Sequence, residues 1–92
     1  MSKNRINYEH DHYYSVYARL VRENLSKVVK GKVYCYVYDD KLNVDIQANN
    51  DTSFRCTISC ISEKILNGVD SITVSQTVVK RYRAYLKNMY FF

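Results

Sequence analysis

The sequence contains no proline and no tryptophan, and only two of its 92 residues are glycine. Loops that cradle phosphate groups need several glycines, and neither a G-x-S-x-G nor an H-E-x-x-H motif occurs. No stretch approaches the roughly 20 apolar residues of a membrane span, and the N-terminus has no apolar signal segment. These absences predict a cytoplasmic protein without a membrane partner, a cofactor or catalytic activity.

The three cysteines, Cys35, Cys56 and Cys60, form no C-x-x-C pair, and their odd number without an export signal predicts reduced thiols. We expect all three to be buried, where a thiol stays protonated and unreactive. His10 and His12 would point to nearly opposite sides of a helix, whereas zinc needs converging ligands. The sequence therefore predicts no catalytic residue and no metal site.

Periodicity predicts one domain over residues 1–92, with residues 1–7 flexible. Apolar residues recur at helical spacing from Tyr8 to Lys30, where Asn7 or Asp11 could cap the start and Gly31 could end the helix. The predicted buried stripe comprises Tyr14, Tyr17, Ala18, Val21, Leu25 and Val28.

After Gly31 the period changes to two, which is typical of half-buried strands. A turn at Asp40-Lys41 would pair Val37 with Val44, Cys35 with Ile46 and Val33 with Ala48. A short loop within residues 49–52 would then lead into a third strand. In this arrangement the inner face carries the valines, and its third strand contributes Phe54, Cys56, Ile58 and Cys60.

A short helix over residues 62–67, ended by Gly68, and a longer one from Ser71 or Ser75 to Asn88 complete the chain. The apolar stripe predicted for the last helix comprises Val78, Val79, Tyr82, Tyr85, Leu86 and Met89. The fold class is therefore α+β, a three-stranded antiparallel meander with helices on one face, in the order α-β-β-β-α-α.

Ten tyrosines are the compositional outlier. The predicted pairing places three of them in a row on the outer face of the sheet, with Asp45 next to Arg55 or Thr57. Tyrosine mixed with Ser, Asn, Thr and Asp is typical of surfaces that bind protein partners. The same residues also suit a face that a helix or a second subunit covers, or a surface that merely favours the strand conformation. The candidate partner-binding residues are Tyr34, Tyr36, Tyr38, Asp45 and Arg55.

The net charge of +5 favours anionic partners, although many small basic proteins bind no nucleic acid. Aromatic side chains on a sheet can stack bases, but an acidic residue among them disfavours a polyanion. A better phosphate-binding site is the predicted solvent side of the last helix, and its cationic residues are Lys80, Arg81, Arg83 and Lys87.

The element order is similar to that of the double-stranded-RNA-binding domain, but that family's loop after the first strand and its lysine cluster are missing. In size, element order and lack of catalytic motifs, the chain resembles the small anti-CRISPR proteins of phages of Gram-positive bacteria. That resemblance implies a phage protein that inhibits a host effector nuclease. Inhibitors of this shape tend to be acidic DNA mimics, and this basic chain departs from them.

Two functions follow as hypotheses. The first is a non-enzymatic inhibitor or adaptor that binds a larger protein or ribonucleoprotein complex, such as a CRISPR effector, through the tyrosines. The second is a nucleic-acid-binding accessory protein that uses the basic last helix. A homodimer formed through the tyrosines or through the Tyr90-Phe91-Phe92 tail is a third possibility.

Overall fold

The computed structural model describes residues 2–48 and 53–90, with side chains over 13–48 and 53–88. Helix α1 (Ser2–Ser26) leads into strands β1 (Lys32–Tyr38), β2 (Lys41–Gln47) and β3 (Ser53–Ser59), and helices α2 (Ile61–Leu66) and α3 (Ser71–Tyr90) follow. The strands form one antiparallel sheet in the order β1-β2-β3. The predicted α+β class and element order are confirmed.

The sheet alternates cleanly between a buried face and an exposed face. Leu42, Val44 and Ile46 of β2 are almost completely buried, and their partners on β1 and β3 also point inward. Helix α1 packs against β1 and against α3, so the helices cover this inner face. The core consists of Tyr17, Ala18, Val21, Leu25, Val29, Val33, Leu42, Val44, Ile46, Phe54, Cys56, Ile58, Ile61, Val74, Val78 and Tyr82.

The hairpin register differs from the prediction by two residues. The turn is at Asp39-Asp40, and Cys35 pairs with Val44 rather than with Ile46. Both turn residues have positive φ, 54° and 56°, which defines the tight hairpin turn that matches strand twist and that aspartate tolerates. The predicted faces are nevertheless right, because a slip of two residues keeps every side chain on its side of the sheet.

Asp40 also fixes the start of α2. Its carboxylate accepts hydrogen bonds from the Ser62 backbone N–H at 2.8 Å and from the Ser62 hydroxyl at 2.9 Å. Its carbonyl accepts the backbone N–H of Ile61 at 3.1 Å. The turn between β1 and β2 is therefore tied to the helix that follows β3.

The limits of α1 differ from the sequence prediction. The helix begins at Ser2, so Asn7 and Asp11 lie inside it and do not cap it, and it ends at Ser26. Because the chain leaves the helix before Val28, that side chain is 61% exposed, and Val29 is buried in its place. The Val29 backbone N–H donates to the Leu25 carbonyl at 2.9 Å, which closes the last turn.

The position of Cys60 also differs from the prediction, which placed it on the inner face. Cys60 has left-handed backbone geometry (φ 56°, ψ 47°) at the N-cap of α2, and its side chain is exposed. The alternation of β3 ends at Ser59, so Cys60 does not join Phe54, Cys56 and Ile58 on the inner face. Cys56 is buried as predicted, and Cys35 is only half-buried.

The last helix buries the stripe that the sequence indicates, with two additions. Val78 and Tyr82 are buried, Val79, Tyr85 and Leu86 are partly buried, and Met89 lies outside the described side chains. Val74 and Ser75 extend the buried stripe towards the N-terminal end of the helix. No helix in the described part of the chain is long and apolar enough to span a membrane.

Candidate functional site: the tyrosine face

The outer side of the sheet, here called the tyrosine face, follows from strand alternation. Each strand contributes every second residue to this side, and the described helices pack on the other. Tyr34, Tyr36 and Tyr38 are 47%, 57% and 74% exposed. The face consists of Lys32, Tyr34, Tyr36, Tyr38, Lys41, Asn43, Asp45, Gln47, Ser53, Arg55, Thr57 and Ser59.

An ion pair lies at the middle of this face. Tyr34 pairs with Asp45 across the strands, and Asp45 pairs with Arg55. The Arg55 Nε lies 3.6 Å from the Asp45 carboxylate, and the Ser53 hydroxyl donates to the same carboxylate at 3.4 Å. The predicted proximity of Asp45 and Arg55 is confirmed, and the aspartate's charge is compensated where it stands.

Hydrogen bonds order the polar residues beside Tyr36. The Thr57 hydroxyl donates to the Asn43 side-chain oxygen at 3.5 Å, and the Asn43 amide donates to the Lys41 carbonyl at 3.2 Å. A shallow concavity of about 660 Å³ lies over this region, between the first two tyrosines and Arg55. Aromatic rings therefore stand beside exposed polar groups that are linked to one another by weak hydrogen bonds.

The tyrosine face carries more positive charge than the five predicted partner-binding residues supply. Lys32 and Lys41 also point outward, one at each end of the hairpin, so three cationic side chains accompany one compensated carboxylate. The sequence-based list of site residues omitted both lysines, although the period-two pattern contains the signal that places them there. The tyrosine face is aromatic and net positive.

The basic residues of α3 do not form one stripe. Lys80, Arg83 and Lys87 share a side of the helix, while Arg81 points about 100° away from Lys80. The Arg81 guanidinium donates to the Thr57 carbonyl at 3.2 Å and to the Cys56 sulfur at 3.3 Å. Arg81 therefore holds β3 against α3, and the candidate phosphate site is reduced to three cations.

The groove beside Lys80 and Arg83 has an apolar floor. Val28 and Ile72, which line it, are 61% and 56% exposed. A site for phosphate alone has no need of such a floor, because phosphates are bound by charge and hydrogen bonding. The groove is thus amphipathic rather than purely cationic.

The Cys35 thiol is a weak nucleophile in this structure. Burial raises the pKa of the Cys35 thiol to about 12, although the nearby Arg22 charge partly opposes that effect. Such a thiol carries almost no thiolate at neutral pH and is a poor nucleophile. Over 13–48 and 53–88, no three histidine, cysteine or acidic side chains converge to hold a metal, and His10 and His12 lie outside those ranges.

Comparisons of the chain with protein-family models, with curated proteins and with solved structures find no match.

Proposed function

We propose that this protein is a non-enzymatic binding domain that recognises a larger protein partner through the tyrosine face. The observation that carries the proposal is the row of three exposed tyrosines on an open sheet face. Tyrosine supplies large contact area at low conformational-entropy cost, and the neighbouring Asn, Thr and Ser supply adaptable hydrogen bonds. A partner that covered the row would remove this aromatic surface from water.

Removal of the central tyrosine side chain tests this function. Tyr36→Ala should weaken partner binding by about 2 kcal/mol or more, as expected when an aromatic hot-spot residue is truncated. The folded state should persist, because the ring is more than half exposed. Binding is measured by affinity capture followed by titration with the captured partner.

Tyr13→Ala is the matched control, because Tyr13 is 54% exposed but lies on α1. This variant should bind as the wild type does. Unchanged binding by Tyr34→Ala, Tyr36→Ala and Tyr38→Ala would refute the proposal.

A more specific form of the proposal is that the partner is a host CRISPR effector nuclease, inhibited by direct protein contact in the host cytoplasm. It is supported by the resemblance in size and element order to small phage inhibitors. The net positive charge of the tyrosine face favours contact with an acidic protein surface or a guide nucleic acid over mimicry of DNA. An in vitro cleavage assay with purified effectors tests it, with Tyr36→Ala as the variant that should lose inhibition.

The alternative proposal is nucleic-acid binding by α3. Lys80, Arg83 and Lys87 are exposed on one side of the helix, which supports electrostatic contact with a phosphate backbone. Affinity should then fall steeply with salt, and Arg83→Gln should reduce the slope while Arg81→Gln should not. No shift of labelled RNA or DNA at low salt would eliminate this function.

A further inference from the structure

Each edge of the sheet presents backbone N–H and C=O groups that no strand of the sheet uses. Across a two-residue turn, Tyr38 and Lys41 must form a hydrogen-bonded pair, and such pairs alternate along the strands. The backbone N–H and C=O groups of Val33, Cys35 and Val37 therefore point away from β2. On β3, the same alternation directs the backbone groups of Ser53, Arg55, Thr57 and Ser59 outward.

Side chains of α3 occupy the β3 edge. The Tyr85 hydroxyl donates to the Ser53 carbonyl at 3.1 Å, and Arg81 donates to the Thr57 carbonyl. These contacts consume acceptors that another strand would need. Protection of an exposed edge by side chains is a common way to prevent unwanted strand addition.

The β1 edge has no such protection from the described residues. None of them hydrogen-bonds to the outward backbone groups of Val33, Cys35 or Val37. An open groove of about 560 Å³ runs along this edge. Tyr36 and Tyr38 line it from the outer face, and Ala18 and Arg22 line it from α1, so it reaches both sides of the strand.

The charge of the groove favours an acidic strand over a second copy of this chain. Arg19 and Arg22 both line it. Arg19 forms an exposed 4.0 Å ion pair with Glu23, the one carboxylate among the described side chains of α1, so the net charge that α1 brings to the groove is positive and comes mainly from Arg22. Antiparallel pairing of two copies about Cys35 would bring their Arg22 side chains towards each other. A strand with acidic side chains would instead meet opposite charge on α1.

We propose that the β1 edge accepts an extended, acidic segment of a protein partner as a fourth strand. Backbone groups of Val33, Cys35 and Val37 pair with the segment, and its alternate acidic side chains face Arg19 and Arg22. Its other side chains lie beside Tyr36 and Tyr38, so this inference rests on the proposed function and names the partner's chemical class.

A designed peptide pair tests the charge and the location together. The probes are two end-capped nonapeptides, one alternating valine with glutamate and one alternating valine with lysine, titrated into the ¹⁵N-labelled full chain. The acidic peptide should shift the amide signals of Val33, Cys35 and Val37 and slow their hydrogen exchange. The basic peptide should bind about tenfold more weakly or not at all.

Cys35→Pro tests the backbone contact. Proline is tolerated on an edge strand where the N–H faces away from the sheet, and it removes the central donor. This variant should lose at least about tenfold in affinity for the acidic peptide, whereas the matched control Cys35→Ala should bind normally. If Cys35→Pro fails to fold, Arg22→Glu should produce a comparable loss without touching the backbone.

Several results would overturn the inference. These are no binding of the acidic peptide at millimolar concentration, equal binding of both peptides, shifts confined to the β3 edge, and concentration-dependent dimerisation that protects the β1 amides. The two proposals fail in distinguishable ways. If Tyr36→Ala leaves partner binding unchanged, the proposal for the tyrosine face is wrong. If Cys35→Pro leaves binding of the acidic peptide unchanged, the proposal for the β1 edge is wrong.

Discussion

The two faces of the sheet are built from the same three strands and have opposite properties. On the inner face, Leu42 and Ile46 are fully buried against the helices. On the outer face, the three tyrosines of β1 are exposed to different extents, and Tyr38 is the most exposed. Alternate residues of one strand therefore serve two purposes, because successive side chains point to opposite sides.

This difference indicates which residues the fold requires. Burial of an aliphatic side chain contributes roughly 1.5–3 kcal/mol to folding, whereas exposed ion pairs and long hydrogen bonds contribute little. The polar contacts of the tyrosine face, at 3.2–3.6 Å, are all exposed or partly exposed and belong to the second class. Burial thus explains the inner face, whereas on the outer face the three tyrosines of β1 favour the strand conformation but leave much of their surface in water.

The largest expected effect comes from a cavity in the inner face. Leu42→Ala should lower the free energy of unfolding by about 3 kcal/mol, because the side chain is fully buried. Gln47→Ala, on the outer side of the same strand, should change it by less than about 0.5 kcal/mol. Urea unfolding of the two variants measures the contrast, and similar losses would show that the two faces do not differ in structural role.

Much of this contrast could be predicted from the sequence. Alternation along β2 and β3 fixed which side chains point inward, since a sheet with one wet face imposes a period of two. The hairpin pairing was wrong by two residues, yet no side chain changed face. Turn chemistry decides that detail, because Asp39 and Asp40 both tolerate the positive φ that the tight turn requires.

Element ends could not be predicted as well. Nothing in the spacing around Val28 shows that α1 stops at Ser26, because Val28 continues the helical stripe. Cys60 continues the alternation of β3 in the same way, but the chain turns there into α2. The edge contacts of Tyr85 and Arg81 depend on how α3 packs against β3, which no local pattern contains.

The second-largest expected effect is the difference in reactivity between the thiols of Cys60 and Cys35. It tests whether the buried face of β3 ends before Cys60. At pH 8, a thiol-specific chromogenic reagent should modify exposed Cys60 at least about 100-fold faster than Cys35, whose pKa is raised to about 12. Because raising the pKa keeps the thiol protonated, the rate for Cys35 should grow as pH increases towards that value. Single-cysteine variants assign the rates, and equal rates at pH 8 would contradict the arrangement.

Substitution of Gly31 tests how closely the backbone just before β1 approaches the end of β2. The φ of Gly31 is 121°, and an added Cβ would lie 2.9 Å from the Ala48 Cα and clash with the Gln47 carbonyl. Gly31→Ala should therefore cost about 2 kcal/mol or more, since backbone strain and overlap both contribute.

Gly68→Ala is the matched control. Gly68 also has positive φ, 78°, but nothing lies within 4 Å of an added Cβ. It should lose only about 1 kcal/mol, the cost of left-handed geometry for a residue other than glycine. Equal losses in the two variants, measured by urea unfolding, would contradict a close approach at Gly31.

The smallest expected effect is at the centre of the tyrosine face. The Arg55 side chain is 80% exposed beside Asp45, so its ion pair is largely screened by water. Arg55→Ala should lower the free energy of unfolding by less than about 1 kcal/mol, and 1 M salt should reduce the difference from the wild type. Lys30→Ala, which removes another exposed cation, is the control for net charge.

A loss above about 2 kcal/mol for Arg55→Ala would mean that the outer face is also structural. If the loss is small, Arg55→Ala leaves the Asp45 carboxylate uncompensated in a folded protein. Any accompanying loss of partner affinity would then reflect recognition rather than stability.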